Sequence, residues 1–98
     1  MTINIKTEGE TTTLSLGGRP DTITAPELER AVDGIPDGTK DLVLDLTELE
    51  YISSAGLRVI LKAQKAMNSK GSMKITGAND SIMEVFDITG FLDILNIE

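Results

Sequence analysis

Two adjacent serines, Ser53 and Ser54, stand where a polar loop gives way to a helical pattern. They lie in the segment Asp45-Leu46-Thr47-Glu48-Leu49-Glu50-Tyr51-Ile52-Ser53-Ser54-Ala55-Gly56-Leu57-Arg58-Val59-Ile60. A helix start leaves several backbone N–H groups unpaired and carries about half a positive charge. A hydroxyl placed there can cap the helix, contributing ~1 kcal/mol. It can also accept a phosphoryl group, whose charge of roughly −1.5 to −2 would sit in the field of the helix end. Capping is the commoner use, and spacing alone leaves both open.

Little else in the chain can do chemistry. It contains neither Cys nor His, which removes disulfides, zinc sites of the usual kind, cysteine nucleophiles and every Ser-His-Asp arrangement. Gly17-Gly18 reads as a turn, since nothing matches a phosphate-binding loop or a dinucleotide fingerprint. Asp41, Asp45, Glu48 and Glu50 form an acidic run without calcium-loop spacing, and a solvated loop is the simpler account. No metal ligand set and no cofactor is expected. Arg58, Lys62 and Lys65 make a small cationic strip, either a solvated helix face or a surface for an acidic partner. Met67, Met73 and Met83 read as core fillers.

Lys plus Arg number 9 against 16 Asp plus Glu, a net charge of −7. Nucleic acid and anionic membranes are therefore poor partners, because phosphate binding needs a basic surface. No apolar run approaches the ~20 residues of a membrane span. The alternating start, Thr2 to Lys6, lacks the basic flank and apolar core of an export signal, so the protein is expected in the cytoplasm. The Asn79-Asp80-Ser81 sequon then reads as coincidence. A chain of 98 residues is expected to make one domain, burying about 60–65% of its unfolded surface.

The elements that must hold the serines follow from periodicity. Thr2–Lys6 and Thr11–Leu16 alternate around Glu8-Gly9-Glu10, the pattern of a hairpin, and Gly17 to Asp21 breaks regular structure. Thr24 and Glu27 have capping-box spacing, with Ile23 and Leu28 as a staple; Ala25, Leu28, Val32 and Ile35 share a face, and Gly34 with Pro36 ends the helix. Leu42-Val43-Leu44 is a continuous apolar run, expected to be a strand covered on both faces. After a loop through Leu49 and Tyr51, a second helix runs from about Ser54 to about Ser69, with Gly56, Val59, Ile60, Ala63 and Met67 inward and Lys70-Gly71 as its stop. Gly56 reads as a packing residue that lets this helix approach the sheet. Met73–Thr76 is a strand, and Asn79 to Ser81 offers caps for a helix carrying Ile82, Val85 and Phe86. Gly90 interrupts that helix, and Phe91 to Ile97 closes as a helical turn and a possible edge strand. The expected class is α/β, a mixed central sheet opened by the N-terminal hairpin and packed with about four helices.

Ile52-Ser53-Ser54-Ala55-Gly56-Leu57-Arg58-Val59-Ile60-Leu61, preceded by Leu44-Asp45-Leu46, resembles the signature of the STAS domain of bacterial anti-sigma factor antagonists. Gly18-Arg19-Pro20-Asp21 through Thr24-Ala25-Pro26-Glu27-Leu28 resembles that family's loop and first helix, and Val85-Phe86-Asp87-Ile88-Thr89-Gly90-Phe91 its C-terminal pattern. The resemblance spans residues 1–98 and implies a STAS fold and a protein-binding switch rather than an enzyme. In such a switch the unphosphorylated protein binds an anti-sigma factor that is also a GHKL-type serine kinase, releasing the sigma factor. Phosphorylation of a serine at the start of the second helix breaks the complex, and a metal-dependent serine phosphatase resets it. The acceptor corresponds to Ser54, with Ser53 as competitor because this chain has Ser where the family often has Asp. Asp21 matches a family position near the phosphorylation site; with Ser53, Ser54, Ala55, Arg58 and Lys62 it would form the partner surface.

Two other readings stand beside this one. STAS-like domains also serve as subunits of membrane transport complexes, including lipid-exporting ATP-driven transporters. A small nucleotide-binding or hydrolytic enzyme would use a crevice at the strand ends around Gly17, Ser54 and Gly77. The lack of acid–base and nucleophilic groups argues against it.

Overall fold

Alternating side chains at the N-terminus fold into two antiparallel strands, β1 (Thr2–Glu8) and β2 (Thr11–Gly18), paired from Thr2↔Gly17 to Glu8↔Thr11. Gly9 makes the tight turn possible, at φ 60°, a conformation for which a residue without a Cβ carries no steric penalty. A computed structural model of the chain describes residues 2–18 and 25–98. The elements after the hairpin are α1 (Ala25–Asp33), β3 (Asp41–Leu49), α2 (Ser54–Asn68), β4 (Ser72–Thr76), α3 (Asp80–Ile88) and one 3-10 turn (Phe91–Asp93). The expected α/β class with a hairpin-opened mixed sheet is therefore found. Three α-helices are present among the described residues, and the anticipated fourth is the short 3-10 turn. Thr24, Ile23 and Asp21 lie outside the described residues.

The four strands form one sheet in the order β1-β2-β3-β4, with β2, β3 and β4 mutually parallel. Parallel neighbours need a crossover, and α1 and α2 supply the two. Register sets the faces: Leu14 pairs with Leu44 and Leu44 with Ile75, while Thr12 pairs with Leu42 and Leu42 with Met73. All of these are buried, and they form one core cluster with Leu28 of α1, Val59, Ile60, Ala63 and Met67 of α2, and Ile82 and Phe86 of α3. On this same side, at its edge, the Thr12 and Thr39 hydroxyls hydrogen-bond each other at 2.7 Å.

The other face of the sheet overturns one expectation. Val43 is only half-buried, and its row continues through Thr13 and the exposed Lys74. The neighbouring row holds Ser15, Asp45 and Thr76. The run 42–44 is thus covered on one face only, because its strand neighbours put polar residues level with Val43. Two boundaries also move. β2 continues through Gly17 and Gly18, and β3 reaches Leu49, so the acidic run from Asp41 to Glu48 lies on a strand rather than in a loop. Gly17 pairs with Glu48 after a register shift. At the C-terminus Ile97 bridges Ile75 in parallel, as the sequence suggests for that tail. Among the described residues no helix is long and apolar enough to cross a membrane.

Candidate functional site

The segment between β3 and α2 is held from three directions. Ile52 is buried in the core. The Glu50 amide donates to the Gly18 carbonyl at 2.9 Å, tying the loop to the end of β2. From the far side, Asn79 Nδ2 donates to the carbonyls of Leu49 at 3.1 Å and Glu50 at 3.3 Å. The same side chain caps α3, its Oδ1 accepting from the Ile82 amide at 2.9 Å. Asn79 thus fixes the start of one helix and the approach to another. Its amide carries both a donor and an acceptor, and the site uses both.

The two serines receive different positions from this frame. Ser53 is the N-cap of α2, with extended backbone at φ −88°, ψ 169°, and its Oγ accepts from the Gly56 amide at 3.2 Å. It is half-buried. Ser54 is the first helical residue and is exposed, and its hydroxyl makes no hydrogen bond among the described residues. Leu57 N–H closes the first turn onto the Ser53 carbonyl. A hydroxyl at the dipole's positive end is thus left facing solvent.

Further along α2, Ala55 is half-buried while Arg58 and Lys62 are exposed. Lys62 Nζ donates to Glu29 Oε1 at 3.1 Å and lies 3.3 Å from Asp33 Oδ1, so it ties α2 to α1. The hydrogen bond to Glu29, reinforced by Asp33, raises its pKa above the usual lysine value. Arg58 has no ion pair among the described residues. Of the partner-surface residues read from the sequence, Ser54, Ala55, Arg58 and Lys62 lie in the first two and a half turns of α2, and Ser53 caps it. Asp21 lies outside the described residues. No local pattern marks Asn79 as a loop anchor, or Glu29 and Asp33 as partners of Lys62; the acids on α1 at four-residue spacing are the available hint.

On the open sheet face, Asp45 accepts from both the hydroxyl and the amide of Thr47, and these bonds hold its carboxyl below the ordinary value. Gly77 closes over the same place. Its φ is +74°, and a Cβ there would meet the Thr47 amide nitrogen at 2.9 Å and the Thr47 hydroxyl closer still. No group of three or more acidic residues suited to a metal ion occurs among the described residues.

A hairpin-opened mixed sheet with its helices on one side, presenting a capped helix start to solvent, defines a small α/β domain of the STAS kind. The model of the STAS domain matches residues 2–98, and the chain belongs to that family. The anti-sigma-B factor antagonist of Staphylococcus aureus (strain NCTC 8325 / PS 47) is 33% identical over 101 residues, covering 99% of this chain and 94% of that protein. A crystal structure of an anti-sigma factor antagonist from Mycobacterium paratuberculosis superposes with a TM-score of 0.89 at 22% identity, covering 98% of this chain and 83% of that one. The Bacillus cell fate determinant SpoIIAA in its phosphorylated form superposes with a TM-score of 0.77 at 13% identity, covering 99% and 91%.

Proposed function

We propose that this chain is an anti-sigma factor antagonist, a cytoplasmic partner-binding switch in which Ser54 is the phosphoacceptor. The observation that carries the reading is the division between the serines: the Ser53 hydroxyl is engaged by the Gly56 amide, and the Ser54 hydroxyl faces solvent one residue later. The name carried by the staphylococcal relative supports the partner class. In this reading the unphosphorylated chain docks its α2 start on an anti-sigma factor with GHKL-type serine kinase activity. That kinase supplies ATP and the catalytic groups; this chain supplies a hydroxyl on a rigid platform. The phosphoryl group leaves ATP for the Ser54 oxygen, and a metal-dependent serine phosphatase later returns the free hydroxyl.

The added charge acts locally. Like charges placed face to face across an interface cost several kcal/mol, and about 3 kcal/mol is already a hundredfold in affinity. The test is incubation with the anti-sigma factor kinase of the same genome and ATP, followed by mass spectrometry of wild type, Ser53→Ala and Ser54→Ala. Phosphate on the first two and none on Ser54→Ala is the expected result. Undiminished incorporation into Ser54→Ala removes Ser54 from the role, and recovery of a transporter ATPase instead of a kinase from cell extract replaces the switch with a transport subunit.

A further inference from the structure

Between α1 and α2, one turn from Ser54, the surface opens into a hollow of about 250 Å³. Its walls are the small or apolar side chains of Ala25, Pro26, Ala55 and Val59, and three charged residues, Glu29, Arg58 and Lys62, stand beside them. Two helices packed through small residues leave room that a larger side chain from elsewhere can fill. The two cations are not equivalent. Lys62 is held by Glu29 and Asp33 of α1, so its charge is already matched within the chain. Arg58 is exposed and has no such partner among the described residues, in a protein where acids outnumber bases 16 to 9.

We infer that this groove receives an aliphatic side chain of the anti-sigma factor, with a carboxylate of that partner beside it paired to the Arg58 guanidinium. The inference rests on the partner-switch reading and adds to it the chemistry of the group that docks. A guanidinium presents a planar fork of donors that matches a carboxylate. An apolar hollow next to a cation that has no ion pair among the described residues selects an aliphatic side chain flanked by an acid. Nucleic acid does not suit the hollow, and a second copy of the chain would bring its own charge of −7. The same arrangement accounts for release. Ser54 and Arg58 are four residues apart on α2, the spacing that places side chains on one helix face. A phosphoryl group on Ser54 therefore competes for Arg58 and repels the carboxylate that Arg58 had held.

The experiment is calorimetric titration of the purified anti-sigma factor kinase of the same genome with full-length wild type, Ser54→Glu, Arg58→Glu, Arg58→Lys and Ala55→Leu. Thermal melts accompany each variant. Arg58→Glu is expected to bind at least tenfold more weakly, Arg58→Lys to fall in between, and Ala55→Leu, which fills the hollow, to lose roughly tenfold or more. Reversing one interface Asp or Glu of the kinase to Lys should restore most of the loss in Arg58→Glu. If Arg58→Glu and Ala55→Leu bind within twofold of wild type while Ser54→Glu does not bind, the groove assignment is wrong and the switch stands. If wild type itself shows no binding to the kinase, the switch reading fails and the inference fails with it. A chain that dimerises, with Arg58→Glu restoring the monomer, would give the groove to a second copy and overturn the assignment.

Discussion

At the start of α2 a shift of one residue separates a structural hydroxyl from an available one. Ser53 satisfies the Gly56 amide, so Ser53→Ala should lower stability by ~1 kcal/mol, the usual worth of a serine cap. Ser53→Asp, an equally good cap, should restore it. Ser54 sits in the helix with its hydroxyl in solvent, and Ser54→Ala should change stability by less than about 0.5 kcal/mol. Urea denaturation of the three variants reads the difference directly. Asp45 gives a pH signature of its own. Its folded pKa lies below the ordinary aspartate value because the Thr47 hydroxyl and amide both donate to it. A depressed carboxyl contributes stability that is present above the unfolded pKa and is lost as pH falls through the folded one. Wild type should therefore exceed Asp45→Asn in urea midpoint at pH 6, with the gap closing as pH drops below 3.8. The serine pair was legible as a helix start, but which serine caps depends on a boundary finer than periodicity resolves.

At the scale of elements, two long-range side-chain ties hold the site beside the Glu50–Gly18 backbone bond, and neither could be read from local pattern. Glu29 and Lys62 are 33 positions apart, and Asn79 reaches back 30 positions to Leu49. Asn79 was visible as a cap for α3, which is a local role. Its hold on the segment before Ser53 depends on β3 and β4 being neighbours, which only the sheet order reveals. Asn79→Asp separates the two roles, since a carboxylate keeps the cap oxygen but loses both donors. It should destabilise by roughly 1–3 kcal/mol through the unpaired carbonyls, and Asn79→Ala by about 1 kcal/mol more through the lost cap. Hydrogen exchange at residues 50–54 should quicken in both variants. Unchanged exchange there in Asn79→Asp would show that Glu50 N–H and buried Ile52 hold the segment without Asn79.

For the molecule as a whole, the order of elements followed from alternation and helical period. The inward stripe of α2 at Gly56, Val59, Ile60, Ala63 and Met67 is buried as its spacing requires. The single covered face of the sheet did not follow, because a lone Val43 between two leucines looks the same whether a helix or water lies above it. One-sided packing leaves the α2 start at the rim of the sheet, and among the described residues no element lies over it that a charge would displace. A negative group on the first turn of a helix is itself favourable, by about 0.3–1 kcal/mol at an exposed site. If the proposed switch holds, Ser54→Glu should accordingly keep or raise the melting temperature while lowering affinity for the proposed anti-sigma factor kinase about a hundredfold or more. Melting and binding move in opposite directions under local repulsion. A switch that worked by loosening the fold would lower both, and a fall in melting temperature alongside the lost affinity would replace the local account with a conformational one.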